Sequence, residues 1–144
     1  MVGPLAGIKV LDLSRILSGP FCTALLADLG ADVVKVEKPP KGDLARNLGP
    51  QIKGDSAYFM SVNRGKRSVT ADIFTRDGAE LIKALAIKAD ILVENYTPGT
   101  MQDLGLGFDQ LEVLNKRLIY ASITGFGQSG PYSNKPALDA VVQA

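Results

Sequence analysis

The first 37 residues constrain the fold most. Ile8-Lys9-Val10-Leu11-Asp12-Leu13 is a short run rich in branched apolar residues. Gly19-Pro20 opens a helical stretch from Phe21 to Leu29, and Gly30 closes it. Asp32-Val33-Val34-Lys35-Val36-Glu37 is a second strand-like run. Strand, helix and strand at this spacing form a βαβ unit, whose crossover is right-handed and makes its two strands parallel. The fold class that follows is α/β, with a parallel sheet flanked by helices.

The remaining pattern extends that unit. Residues 38–56 hold three prolines, three glycines and little apolar periodicity, which predicts a long loop. A short helix is expected at Ala57–Val62, a strand at Arg67–Ala71, a helix at Arg76–Lys88 and a strand at Asp90–Glu94. Thr97-Pro98 has the form of an N-cap followed by proline and predicts a further helix start. Leu111–Leu114 reads as helix, Arg117–Ser122 as a fifth strand, and residues 124–136 as a loop. Ala137 to Ala144 looks like the first two turns of an amphipathic helix with no cap or glycine after it, so the chain reads as one domain cut from a longer protein.

Composition removes several function classes. Sixteen basic residues against fifteen acidic ones leave a net charge of +1, so no global field favours nucleic acid or an anionic membrane. No apolar run approaches the roughly 20 residues that span a bilayer, and the N-terminus lacks a signal-peptide pattern, so a cytoplasmic protein is expected. One cysteine and no histidine give no basis for a metal site and remove the commonest general base. Cys22, among Phe21, Leu25, Leu26 and Leu29, reads as a small buried hydrophobe.

Ligands of an open parallel α/β sheet lie outside the carboxyl ends of its strands. Those ends are residues 14–20, 38 onward, 72–75, 95–99 and 123–127. Ser14 to Pro20 leads into a helix N-terminus that suits a phosphate, with Gly19 and Pro20 as ordinary turn punctuation the alternative. Glu37 stands where a dinucleotide-binding protein carries its ribose-binding acid, but G-x-G-x-x-G is missing, which disfavours NAD. Lys35, Lys38, Lys41 and Arg64-Gly65-Lys66-Arg67 supply local positive charge.

Several segments in this order resemble CoA-transferase family III, the group with formyl-CoA, carnitine and dicarboxylate CoA-transferases. They are Pro4 to Arg15, Gly19-Pro20, Leu29 to Glu37, Tyr58-Phe59, Asn63 to Ser68, Asp90 to Gly99, Leu118 to Tyr120 and Gly125 to Pro131. The resemblance implies a Rossmann-like large domain with CoA over its strand ends, residues 1–144 being its N-terminal part without the small domain or the C-terminal return. It implies that Ile16, Leu17 and Ser18 line the thioester end, that Lys38 stands near the nucleotide, and that Ala71, Asp72, Ile73, Phe74, Asn95, Tyr96 and Thr97 hold the adenosine portion. Lys66 is a second cation expected near the nucleotide. Asp103 and Leu17 replace an arginine and a glutamine of formyl-CoA transferase.

By the same resemblance the chemistry is acyl exchange between acyl-CoA and a carboxylic acid through an aspartyl intermediate. The nucleophilic aspartate is expected beyond Ala144, with Asp139 auxiliary, and the whole protein is expected to form an interlocked homodimer. Acyl-CoA racemases also resemble this chain but carry a histidine where Leu138 stands, so the transferase reading leads. A non-catalytic CoA-binding remnant is the reading from another class.

Overall fold

The computed structural model describes residues 3–143. Among the described residues there are seven strands and six helices; all but the short strands Gln51–Ile52 and Asp55–Ser56 follow the expected order. They are β1 (Lys9–Asp12), α1 (Ser18–Asp28), β2 (Asp32–Glu37), β3 (Gln51–Ile52), β4 (Asp55–Ser56), α2 (Ala57–Val62) and β5 (Arg67–Thr70). Then come α3 (Arg76–Ala86), β6 (Ile91–Glu94), α4 (Thr100–Asp103), α5 (Phe108–Leu114), β7 (Ile119–Ser122) and α6 (Asp139–Gln143). Among the described residues, no helix is long and apolar enough to cross a membrane.

Five strands form one parallel sheet in the order β5-β2-β1-β6-β7. Its register pairs Val10 with Val33, Leu11 with Leu92, Glu37 with Thr70 and Leu92 with Tyr120. The chain steps outward from β1 through β2 to β5, then returns to the other side of β1 for β6 and β7. This is the Rossmann order, and its direction reverses between β1 and β6, where ligands lie in open α/β sheets.

Alternation along the strands sends side chains to two cores. Val10, Val33 and Val93 pack on one face with Leu26 and Ala27 of α1. Leu11, Val36 and Leu92 pack on the other with Ala79, Ile82 and Ala86 of α3, Met101 of α4 and Leu111 of α5. Ile82, Leu92, Leu106 and Leu111 are fully buried, and burial contributes about 1.5–3 kcal/mol for each.

Local chemistry sets the helix ends. Gly30, at φ +100°, follows α1 in the left-handed conformation that closes a helix. Ser56 and Thr75 cap α2 and α3 by accepting from the Phe59 and Gly78 amides at 3.0 and 3.1 Å. Gly78 is required by close approach, because a Cβ there would collide with the Asp72 carbonyl.

Two expectations fail. Thr97 caps nothing: the Thr100 amide donates to its carbonyl at 3.0 Å, and Gly99 at φ +89° precedes a helix of only four residues. The proline turn is thus closed by the left-handed glycine, which moves the helix start from Thr97 to Thr100. The stretch 38–56 is also organised, by a 3₁₀ turn at Leu44–Asn47 and the β3–β4 hairpin, which turns at Lys53 and Gly54, both at positive φ.

Candidate functional site

Every residue from Ser14 to Ile16 is held by a side chain. The Ser14 amide donates to Asp12 at 2.9 Å, the Arg15 amide to Asn95 at 2.7 Å and the Ile16 amide to Asp43 at 3.0 Å. Asn95, just past β6, returns its own Nδ2 to the Arg15 carbonyl at 2.8 Å and to Ser18 Oγ at 3.2 Å. One asparagine therefore locks the β1 and β6 loops together across the point where the strand order reverses. Gly19 allows that approach, since a Cβ there would strike the Ser14 side chain.

Beneath the loop lies a buried ionic network. Asp12 accepts from Thr23 Oγ1 at 2.6 Å and Lys66 Nζ at 2.9 Å, and also from the Ser14 hydroxyl. Burial alone would raise its carboxyl, but Lys35, Lys66 and the two hydroxyl donors outweigh burial and hold it below the usual carboxylate range. Lys35 bonds the Ser14 carbonyl at 2.8 Å and Asp43 at 2.9 Å. Glu37 accepts two bonds from Arg46, at 2.7 and 2.8 Å, with others from Ser68 and the Asp43 amide. Burial opposes its ionisation, yet these donors bring its carboxyl down to about 2.

A cleft of about 530 Å³ opens above the network. Ile16, Leu17 and Ser18 line it from the β1 loop, Asn95, Tyr96 and Thr97 from the β6 loop, and Asp139 from the start of α6. Lys38, Ala71, Ile73 and Phe74 line an adjacent small depression that shares Tyr96 with the cleft. Asp72 joins this group by pairing with Lys38 at 3.2 Å. The Phe74 ring meets Tyr96 edge-on at 6.1 Å, and Lys38 Nζ lies 4.9 Å from its centroid. The fold thus brings the sequence-derived site residues other than Lys66 to one end of the sheet, in two groups joined at Tyr96.

Lys66 does not join them. Its side chain is 2% exposed and spent on Asp12, the Pro20 carbonyl and Asn63 Oδ1, which corrects its assignment as a cation near a nucleotide. Its neighbours diverge too, Arg64 pairing with Asp28 and Arg67 with Asp32. Glu37 is equally committed and has no place beside a ribose. Cys22 is half-buried rather than buried, and burial, then the Asp12 charge, pushes its thiol up.

The CoA-transferase family III profile matches residues 5–144. The chain belongs to that family. It is 47% identical over 144 residues to succinyl-CoA:glutarate CoA-transferase of Homo sapiens, covering 99% of this chain and 33% of that protein. It is 45% identical over 142 residues to acetyl-CoA:oxalate CoA-transferase of Acetobacter aceti, covering 99% and 36%. A crystal structure of a CAIB/BAIF family protein from Brucella suis superposes with a TM-score of 0.93 at 46% identity, covering 99% of this chain and 39% of that one. The chain spans about a third of the length of the curated relatives it matches.

In this family III chain the cleft also holds residues that sequence reasoning did not single out. Arg15 lies over the Tyr96 ring at 4.2 Å from its centroid, and Lys135 over Tyr132 at 4.0 Å. Neither cation has a carboxylate partner among the described residues, so both leave positive charge at the cleft wall. Tyr58 is a third such residue; burial, then Asp139 and Asp43, push its phenol up. Arg15 had a signal, since it ends the Asp12-Leu13-Ser14-Arg15 motif. Tyr58 had its place in the Tyr58-Phe59 pair, and Lys135 had no signal beyond its loop.

Proposed function

We propose that the protein moves CoA between an acyl-CoA thioester and a free carboxylic acid, and that this chain supplies the CoA-binding face of the site. The observation that carries the reading is the cleft at the β1–β6 reversal, walled by Ile16–Ser18 and Asn95–Thr97 and lined by unpaired cations. Its shape suits an extended anionic thioester, with the acyl end at Ile16–Ser18 and the nucleotide toward Lys38 and Phe74. The relatives' names support the reaction class.

In this reading a carboxylate outside the 144 residues attacks the thioester carbon and expels CoA thiolate, leaving an acyl-aspartyl anhydride. The thiolate attacks the aspartyl carbonyl and releases the first acid. The acceptor carboxylate then displaces the thiolate, which takes the new acyl group and frees the aspartate. Asp139 stands at the cleft rim as an auxiliary carboxylate. The exposed stripe of Phe21 and Leu25 on α1 and Leu29 at its C-cap supports burial against further protein, as an interlocked homodimer would provide. The test is to incubate the full-length protein with succinyl-CoA and a series of dicarboxylic acids and follow new acyl-CoA by mass spectrometry. Exchange supports the reading; epimerisation of a 2-methylacyl-CoA without exchange would replace it with a racemase.

A further inference from the structure

Ile16 has φ +68°, a left-handed conformation in which a β-branched side chain is a genuine outlier. Such a conformation persists only where its surroundings over-determine it. Here the surroundings are two buried side chains from elsewhere in the chain. Asp43 lies between β2 and the 3₁₀ turn with its side chain 1% exposed, and it accepts the Ile16 amide on both oxygens, at 3.0 and 3.2 Å. Lys35, in the middle of β2 and 2% exposed, pairs with Asp43 Oδ2 at 2.9 Å and donates to the Ser14 carbonyl at 2.8 Å. A third contact, from the Ala45 amide to Asp43 Oδ1 at 3.0 Å, adds a further donor to the carboxylate. The clamp thus grips the loop at two points, Ser14 and Ile16, on either side of Arg15.

What the clamp presents comes next in the chain. Leu17 and Ser18 line the cleft, the Leu17 amide has no acceptor among the described residues, and no side chain caps the first turn of α1. We infer that the Lys35–Asp43 pair is a positioning device: it holds Ile16 left-handed so that the unpaired amides after it stay set for the oxygen of a reacting acyl group. Preset backbone donors of this kind act only where charge develops, so the pair governs turnover more than binding. The inference rests on the acyl-transfer reading for its chemistry but not for its geometry.

The experiment compares full-length wild type with Asp43→Asn and with the paired swap Lys35→Met/Asp43→Leu. Replacing both members of a buried ion pair by apolar residues commonly leaves a protein stable, so the swap separates folding from positioning even if Asp43→Asn fails to fold. The readouts are CoA exchange kinetics, urea unfolding and hydrogen exchange at the Ile16 amide. In the swap, kcat should fall roughly 100-fold with KM for acyl-CoA within about threefold, and Ile16 exchange should rise at least about tenfold at near-native stability. A swap that keeps kcat within about threefold, or leaves the Ile16 amide protected, overturns the inference. If wild type itself exchanges no CoA, the functional reading falls, and loss or retention of Ile16 protection in the swap still decides whether the pair holds the loop.

Discussion

Lys66→Met deletes the ammonium at the centre of the buried network while keeping most of the side-chain volume. Three acceptors lose their donor at once: Asp12 Oδ2 at 2.9 Å, the Pro20 carbonyl at 2.8 Å and Asn63 Oδ1 at 2.8 Å. Both charged partners are essentially sealed from water, at 2% and 0% exposure, so solvent cannot replace the lost bonds. Breaking such a pair from one side costs about 3–5 kcal/mol, a large fraction of the roughly 5–15 kcal/mol that holds a domain together. Thr23, Ser14 and Lys35 still face Asp12, which puts the loss near the lower end of that range. Urea unfolding followed by circular dichroism should show the midpoint falling by about 1.5 M, for a slope of about 2 kcal/mol per M. A variant within about 1 kcal/mol of wild type that has lost CoA affinity would instead place Lys66 at the ligand.

Glu37 makes stability acid-sensitive. Its carboxyl sits at about 2 when folded against an ordinary 4.5, so its contribution is complete above about pH 4.5 and is lost as pH falls toward 2. The loss is roughly 2–3 kcal/mol, and a pH series of urea midpoints should show it in wild type and lack it in Glu37→Gln. Lys38→Ala removes a side chain 57% exposed whose partner is Asp72; stability should change by less than about 1 kcal/mol. In the full-length protein the same variant should raise KM for the acyl-CoA donor and leave kcat unchanged in initial-rate kinetics, because a nucleotide contact is made equally in ground and transition states.

The β1–α1–β2 unit was legible because branched runs, Gly30 and the Gly19-Pro20 start are local signals, and the strand ends followed from it. The β3–β4 hairpin was not, since two residues per strand carry no periodicity, although Gly54 marked its turn. Lys66 was misread because nothing local shows that a residue just before β5 reaches Asp12, 54 positions earlier, beneath the start of α1. Lys35 did carry a readable sign. A lysine in the middle of a parallel strand covered on both faces must be buried, and a buried ammonium must be paired. The Asp43 partner, at the end of a proline-glycine loop, was out of reach of pattern. The same holds for the left-handed Ile16: its sequence looks like any strand exit, and only the fold shows what fixes it.

The cleft at the β1–β6 reversal is proposed to take CoA rather than a dinucleotide. Titration calorimetry of the full-length protein with CoA and with NAD decides between the two ligands. CoA should bind with a Kd at least about tenfold below that of NAD, and Asn95→Ala, which unlocks the β1 and β6 loops, should weaken CoA binding. NAD binding as tightly as CoA, or more tightly, would instead make the cleft a dinucleotide site.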